Sequence, residues 1–197
     1  MRPLRRAAFA LALLFGATWF ALVLLVAVGV IHAYTIPSSS MEPTLHCARP
    51  AFGCEGKDDD RILTLRYVGW SPARGDMVAF HTPRIAEIKC GSTGIFIKRL
   101  VGLPGETVSE DERGFIWITK PGSATRTELH DPYVQPAVRA ADPFRGGHWR
   151  VPAGRYFVVG DDRSKSCDSR EWGSISRASM TGRAVATYWP LSRLSFH

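Results

Sequence analysis

Lysine is scarce in this chain: only five of its 25 cationic residues are lysine, and the other 20 are arginine. No block of five or more Lys/Arg occurs, so the basic stripe that a nucleic-acid partner would require is missing. There is no Gly-x-Ser-x-Gly elbow, no glycine-rich phosphate loop and no Cys-x-x-Cys pair. An α/β-hydrolase nucleophile, a nucleotide cradle and a zinc ribbon therefore all lack their residues. The six histidines (His32, His46, His81, His130, His148 and His197) are scattered, which leaves a Ser-His-Asp triad with little support. Beyond residue 34 no stretch has the period of an amphipathic helix, beyond a short helical turn or two, and nothing repeats.

What is present begins with charge. The formal net charge is +7, and Arg2, Arg5 and Arg6 account for three, leaving +4 (7 − 3) for the rest. Residues 7–33 are 27 positions without a formal charge, dominated by Ala, Leu, Val and Phe. About 20 apolar residues cross the hydrocarbon core, and the core of a cleavable signal peptide is only about 7–15 long. The expectation is a 1–6 cytoplasmic stub, an uncleaved transmembrane anchor over 7–33 and an extracytoplasmic domain over 34–197. The arginine flank should stay inside, giving a single-pass protein of the cell membrane. Cys47, Cys54, Cys90 and Cys167 suit that oxidising side. They match no zinc spacing, and His46 shares a site with its neighbour Cys47 only awkwardly. Two disulfides are expected, with the pairing left open.

After residue 34 the hydrophobic pattern has period two. ILTLRYV (62–68), DMVAFH (76–81), GIFIKRLVG (94–102), FIWITK (115–120), RYFVVG (155–160) and RAVATYW (183–189) read as strands. DERG (111–114) reads as a hairpin turn, and residues 121–150 as a long excursion of low structure content. The predicted class is an all-β domain of antiparallel sheets on one amino-terminal helix.

Three clusters hold candidate chemistry. IPSSSMEPTL (36–45) places three hydroxyls between two prolines just after the apolar run. Such serines are ordinarily turn filler, but here they stand where the chain leaves the membrane. Lys98 is the one lysine inside an apolar strand. Alternation puts Phe96, Lys98 and Leu100 on one face and Ile97, Arg99 and Val101 on the other. A snorkelling edge lysine is the bland reading; the functional one is a desolvated, neutral lysine that accepts a proton. GDDRSKSCDSREWGSI (160–175) is dense in Asp, Arg and Ser directly after a strand.

Together, in this order, SSSMEPTL, RGDMVAF, FIKRLVGLPGE and GDDRSKSCDSREWG resemble the type I signal peptidases. HCARP, GCEG and SCDSR are similar to an actinobacterial-like subgroup. The resemblance implies a membrane-bound serine endopeptidase that removes signal peptides from exported proteins after small residues (Ala-x-Ala) by a Ser/Lys dyad. It implies Ser40 as nucleophile, Lys98 as general base, Ser38 with the Ser40 amide as oxyanion hole, and Ser166 as the group orienting the lysine. Arg99, Asp161, Asp168 and Arg170 become structural charges near the site, with Asp161 facing Arg99. Ile36, Met41, Leu45, Phe96 and Ile97 are candidates for the substrate pocket, and Ser39 for a small spacer. The implied partners are signal peptides and the lipid bilayer, with no nucleic acid, no metal and no cofactor, and the protein acting as a monomer. Two alternatives share these residues: a dedicated maturation peptidase for pilin-like or conjugation proteins, and an inactive tethered binding relative. Asp162, Ser164 and Lys165 depart from the family's Gly-Asp-Asn-Arg-Asp-Asn-Ser pattern, leaving that loop's internal bonding open. If Ser166 reaches Lys98, the segments bearing Cys90 and Cys167 run close together, so Cys47–Cys54 and Cys90–Cys167 are the hypothesised bridges.

Overall fold

The computed structural model describes the backbone of residues 2–197 and the side chains of 11–21, 23–26 and 28–197. Met1 and the side chains of the expected 1–6 stub lie outside the described residues. A helix, α1, runs over Arg2–Ala27. Its described side chains, Phe15, Trp19 and Phe20 among them, are exposed. Among the described residues no helix is long and apolar enough to cross a membrane. The helix also stops short of the expected anchor end: Gly29 adopts φ +68°, a left-handed stop that glycine takes without penalty. Residues 31–33 then enter strand β1 (Ile31–Thr35), which pairs antiparallel with β2 (Arg61–Leu65). Their apolar character belongs to a sheet edge, which hydropathy alone merged with the helix.

The remaining strands are β3 (Met77–His81), β4 (Ile95–Gly102), β5 (Thr107–Glu110), β6 (Ile116–Thr119), β7 (Arg126–Glu128), β8 (His148–Arg150), β9 (Arg155–Val159), β10 (Ile175–Ser176), β11 (Met180–Trp189) and β12 (Ser195–Phe196). The larger sheet has the order β1-β2-β11-β3-β4-β9-β10, with β12 against β11; the smaller is β7-β6-β5-β8. All registered pairs are antiparallel, as the class expected. β5 and β6 alternate buried and half-buried residues on either side of the 111–114 turn, as period two requires. β4 lies between β3 and β9 and is buried on both faces. Leu100, Ile97 and Val101 each enter a different apolar cluster, and full burial of such a side chain stabilises by about 1.5–3 kcal/mol.

One expectation is corrected. Residues 121–150 are ordered: they supply β7, the short helix α3 (Pro136–Ala140) and β8. Their buried charges hold them, because Arg139 forks onto Asp131, which also accepts from the fully buried Arg163. Composition reads these charges as solvent-facing loop. The short helical turns allowed for after residue 34 include α2 (Arg84–Cys90). It gives no amphipathic signal because Ile85 and Ile88 face solvent and only Ala86 is buried. A single turn, α4 (Ser169–Trp172), follows the acidic loop. Disulfides join Cys47 to Cys54 and Cys90 to Cys167, with Cα separations of 4.9 and 6.0 Å.

Candidate active site

The serine run folds into a 3-10 turn over Ser39–Met41, and Glu42 N–H donates back to the Ser39 carbonyl at 3.0 Å. Met41 and Leu45 are sunk in the core, 1% and 0% exposed; they pin the turn and present Ser40 to the neighbouring strand. The Ser40 carbonyl accepts the N–H of Asp162 at 3.2 Å, tying this turn to the acidic loop. Gly160 permits that approach, since a Cβ there would collide with the Ser40 carbonyl and with Ser166 Oγ.

Ser40 meets Lys98. The Lys98 ammonium nitrogen lies 2.5 Å from Ser40 Oγ, and 5.4 Å from the Phe96 ring centroid. Lys98 is 4% exposed. Burial lowers its pKa to about 8, opposed by the carboxylates of Asp168 and Asp161 and assisted by the cation of Arg170. At pH 7 about one lysine in ten is then neutral, against roughly one in 10³ for a free side chain. A neutral amine against a hydroxyl can accept its proton, the chemistry of a Ser-Lys pair.

Ser38 is exposed and extended, and its side chain caps nothing. Its Oγ lies 3.3 Å from Ser40 Oγ, so two hydroxyls stand side by side at the cleft. Ser39 is buried at the closed end of the turn, next to Gly53. Ile36, Met41, Phe96 and Ile97 line a cleft of about 360 Å³ together with Ser40 and Lys98. Leu45 does not line it and belongs to the core cluster with Ile62 and Met77. That candidate is corrected: one turn beyond Met41, the motif's last apolar residue points into the sheet.

On the opposite face of β4, Arg99 donates from Nε and Nη2 to the two oxygens of Asp161 at 2.8 and 2.6 Å. Thr44 Oγ1 also donates to Asp161 at 2.6 Å, and the Tyr133 ring stacks on the guanidinium at 3.9 Å. Asp168 receives Gly160 N–H and the guanidinium of Arg170. Burial alone would raise the Asp168 pKa, but the Arg170 cation and these bonds hold it below the usual carboxylate range. Arg170 is gripped further by Asp142 and, at 3.6 Å, by Glu110. Thr44, Tyr133, Asp142 and Glu110 were not singled out from sequence. Thr44 stood inside a quoted motif without a distinguishing signal, and the others lay outside every motif.

Ser166 is buried, but the bond expected from its Oγ to Lys98 is not formed; the polar group beside it is the Asp168 carboxylate. Ser166 packs against Gly160, the glycine whose backbone also meets the Ser40 carbonyl. The three departures from the family pattern compensate one another: Lys165 pairs with Asp162 at 2.9 Å, and Ser164 Oγ donates to Asp162 at 2.7 Å. Cys90 and Cys167 both line the cleft, so their disulfide joins α2 to the loop beside Ser166. Away from the cleft, Glu42, His46 and Glu55 bring potential metal-ligand atoms together.

A family model described as signal peptidase, peptidase S26, matches residues 8–189. A signal peptidase I from Leptolyngbya laminosa is 34% identical over 168 residues, spanning 84% of this chain and 72% of its own. One from Mycobacterium tuberculosis is 30% identical over 205 residues, spanning 81% of this chain and 65% of its own. A crystal structure of a signal peptidase I from Enterococcus faecalis is 31% identical and covers 58% of this chain and 97% of its own, at a TM-score of 0.44, too loose a likeness to argue from. With the family model running through both the serine turn and the acidic loop, the chain belongs to the signal peptidase family, peptidase S26, and is a serine endopeptidase.

Proposed function

We propose that this protein is a membrane-anchored signal peptidase that cleaves exported preproteins after small residues in the Ala-x-Ala pattern, with Ser40 as nucleophile and Lys98 as general base. The observation that carries this is the 2.5 Å contact between a buried, pKa-lowered lysine and a serine hydroxyl at the floor of a cleft. Neutral Lys98 takes the Ser40 proton as Oγ attacks the scissile carbonyl carbon. The oxyanion is met by the Ser40 backbone N–H and the Ser38 hydroxyl. Lys98 then protonates the leaving amine, the C–N bond breaks and an acyl-enzyme remains. Water, giving its proton to Lys98, hydrolyses that ester, and Ser40 recovers its hydrogen. The sequence needs neither metal nor cofactor.

Small apolar walls from Ile36, Met41, Phe96 and Ile97 suit short side chains before the scissile bond. The exposed apolar residues of α1 support the anchor, because a helix apolar on its outer faces needs a non-aqueous surrounding. With the amino-terminal arginines cytoplasmic, the domain acts outside the cell membrane, as a monomer, on signal peptides leaving the bilayer. The names of the relatives support that substrate. The test is cleavage of a panel of exported precursors by the purified full chain, with Ser40→Ala as the inert control. Cuts after Ala-x-Ala across the panel are expected. Cleavage of a pilin-like precursor alone would favour the dedicated maturation peptidase. No cleavage and no labelling by a serine-acylating probe would favour the inactive binding relative.

A further inference from the structure

The carboxylate of Glu42 stands apart from the cleft. It ends the turn that carries Ser40, yet it is 2% exposed and does not line the cavity. A buried carboxylate needs a compensating positive charge. Among the described residues no lysine or arginine pairs with Glu42; the group meeting its Oε2 is His46 Nδ1. Its Oε1 is held by two backbone donors, Cys47 N–H at 3.1 Å and Glu55 N–H at 3.0 Å. These bonds fix the orientation of the carboxylate, the service that outer-shell donors give a metal ligand.

The Cys47–Cys54 disulfide supplies a second, covalent constraint. His46 directly precedes the first cysteine and Glu55 directly follows the second, so the bridge sets these two side chains beside one another. One ligand atom from each of Glu42, His46 and Glu55 lies within 4.8 Å of the other two. Tetrahedral bonds of about 2.0–2.2 Å set ligand atoms about 3.5 Å apart, so the touching Glu42 and His46 atoms must part to admit the ion while Glu55 moves in. Glu55, the exposed member, and the half-buried His46 can make those shifts by side-chain rotation.

We propose that Glu42, His46 and Glu55 form a binding site for a divalent transition-metal ion, with Zn²⁺ preferred and water completing a four-coordinate shell. One imidazole nitrogen with two carboxylate oxygens is a donor set zinc accepts. Calcium and magnesium call for more oxygen ligands or retained waters, whereas zinc, redox-inert and without a geometric preference of its own, accepts a four-coordinate shell of these nitrogen and oxygen donors. The two carboxylates balance the charge of the ion. The site is structural: it fastens the end of the Ser40 turn to the disulfide-closed loop and takes no part in peptide-bond cleavage.

The experiment is calorimetric titration of ZnCl₂ into the untagged, chelator-stripped full chain in detergent, with thermal unfolding followed alongside. One equivalent is expected to bind, and Mg²⁺ at equal concentration should not compete. Zn²⁺ should raise the wild-type Tm. His46→Ala and Glu55→Gln should each weaken binding by at least about tenfold and abolish the Tm increment. Because His46→Ala also removes the partner of a buried carboxylate, Glu55→Gln at the exposed position carries the result if that variant fails to fold. Failure of the wild type to bind at millimolar Zn²⁺, or wild-type affinity in folded Glu55→Gln, overturns the site. Precursor cleavage by the metal-free protein is independent of either outcome.

Discussion

Lys98 and Arg99 are neighbours on one strand, and their charges meet opposite surroundings. Lys98 has its hydrogen bond to an uncharged hydroxyl, and burial lowers its pKa to about 8. For Arg99 burial also acts to lower the value, but the fork onto Asp161 and that carboxylate's charge more than reverse it, and its pKa is raised. Strand alternation separates the two cations by pointing them to opposite faces. What the chain delivers to each face then sets their chemistry: a serine turn to one, an aspartate and a tyrosine ring to the other. One face holds a cation that can lose its proton, the other a cation fixed as a structural pin.

The largest expected effect comes from making the Lys98 face resemble the Arg99 face. Lys98→Arg should abolish precursor cleavage in a protein that still folds, because a guanidinium is not deprotonated in proteins. Activity above a few per cent of wild type in a cleavage assay would remove Lys98 from the role of base.

Breaking the other face is next. Asp161→Ala leaves Arg99 nearly buried without its carboxylate, and removal of one partner from such a pair costs about 3–5 kcal/mol. Denaturant unfolding in detergent measures it; a loss below about 1 kcal/mol, typical of a surface pair, would contradict the pinning.

The smallest effect sharpens the Lys98 face without mutation. The base works as the free amine, and its pKa of about 8 leaves it protonated at lower pH. Values of kcat/KM should therefore climb about tenfold per pH unit below 8 and level above it. A profile flat from about pH 5 to 9 under chemistry-limited conditions would exclude Lys98 as the titrating group.

The strands that form β3, β4, β6, β9 and β11 were legible within a few residues, because a sheet with a buried face writes its period into the sequence. β1 was not, since Ile31 to Ala33 continue an apolar run whose break at Gly29 is a backbone event. The ordering of residues 121–150 was hidden for another reason. It rests on buried ion pairs centred on Asp131 and Arg170, and a charge carries no sign in the sequence of whether it faces water. Within the site, Ser40, Lys98 and the Arg99–Asp161 pair were legible as candidates through motif order. The fate of Ser166 and Leu45 was not, because each turns on side-chain direction within a packed loop.

By itself, then, the sequence determined local and ordered properties: period-two strands, Lys98 and Arg99 on opposite faces, cysteines suited to an oxidising side, and the succession of family motifs. The tertiary structure decided which distant groups touch. Ser40 and Lys98 are 58 residues apart, and Cys90 and Cys167 are 77 apart. Contacts over such spans arise from sheet order and loop packing. The lowered pKa of Lys98 is likewise a property of the surroundings that burial creates, since the same side chain in water would remain charged.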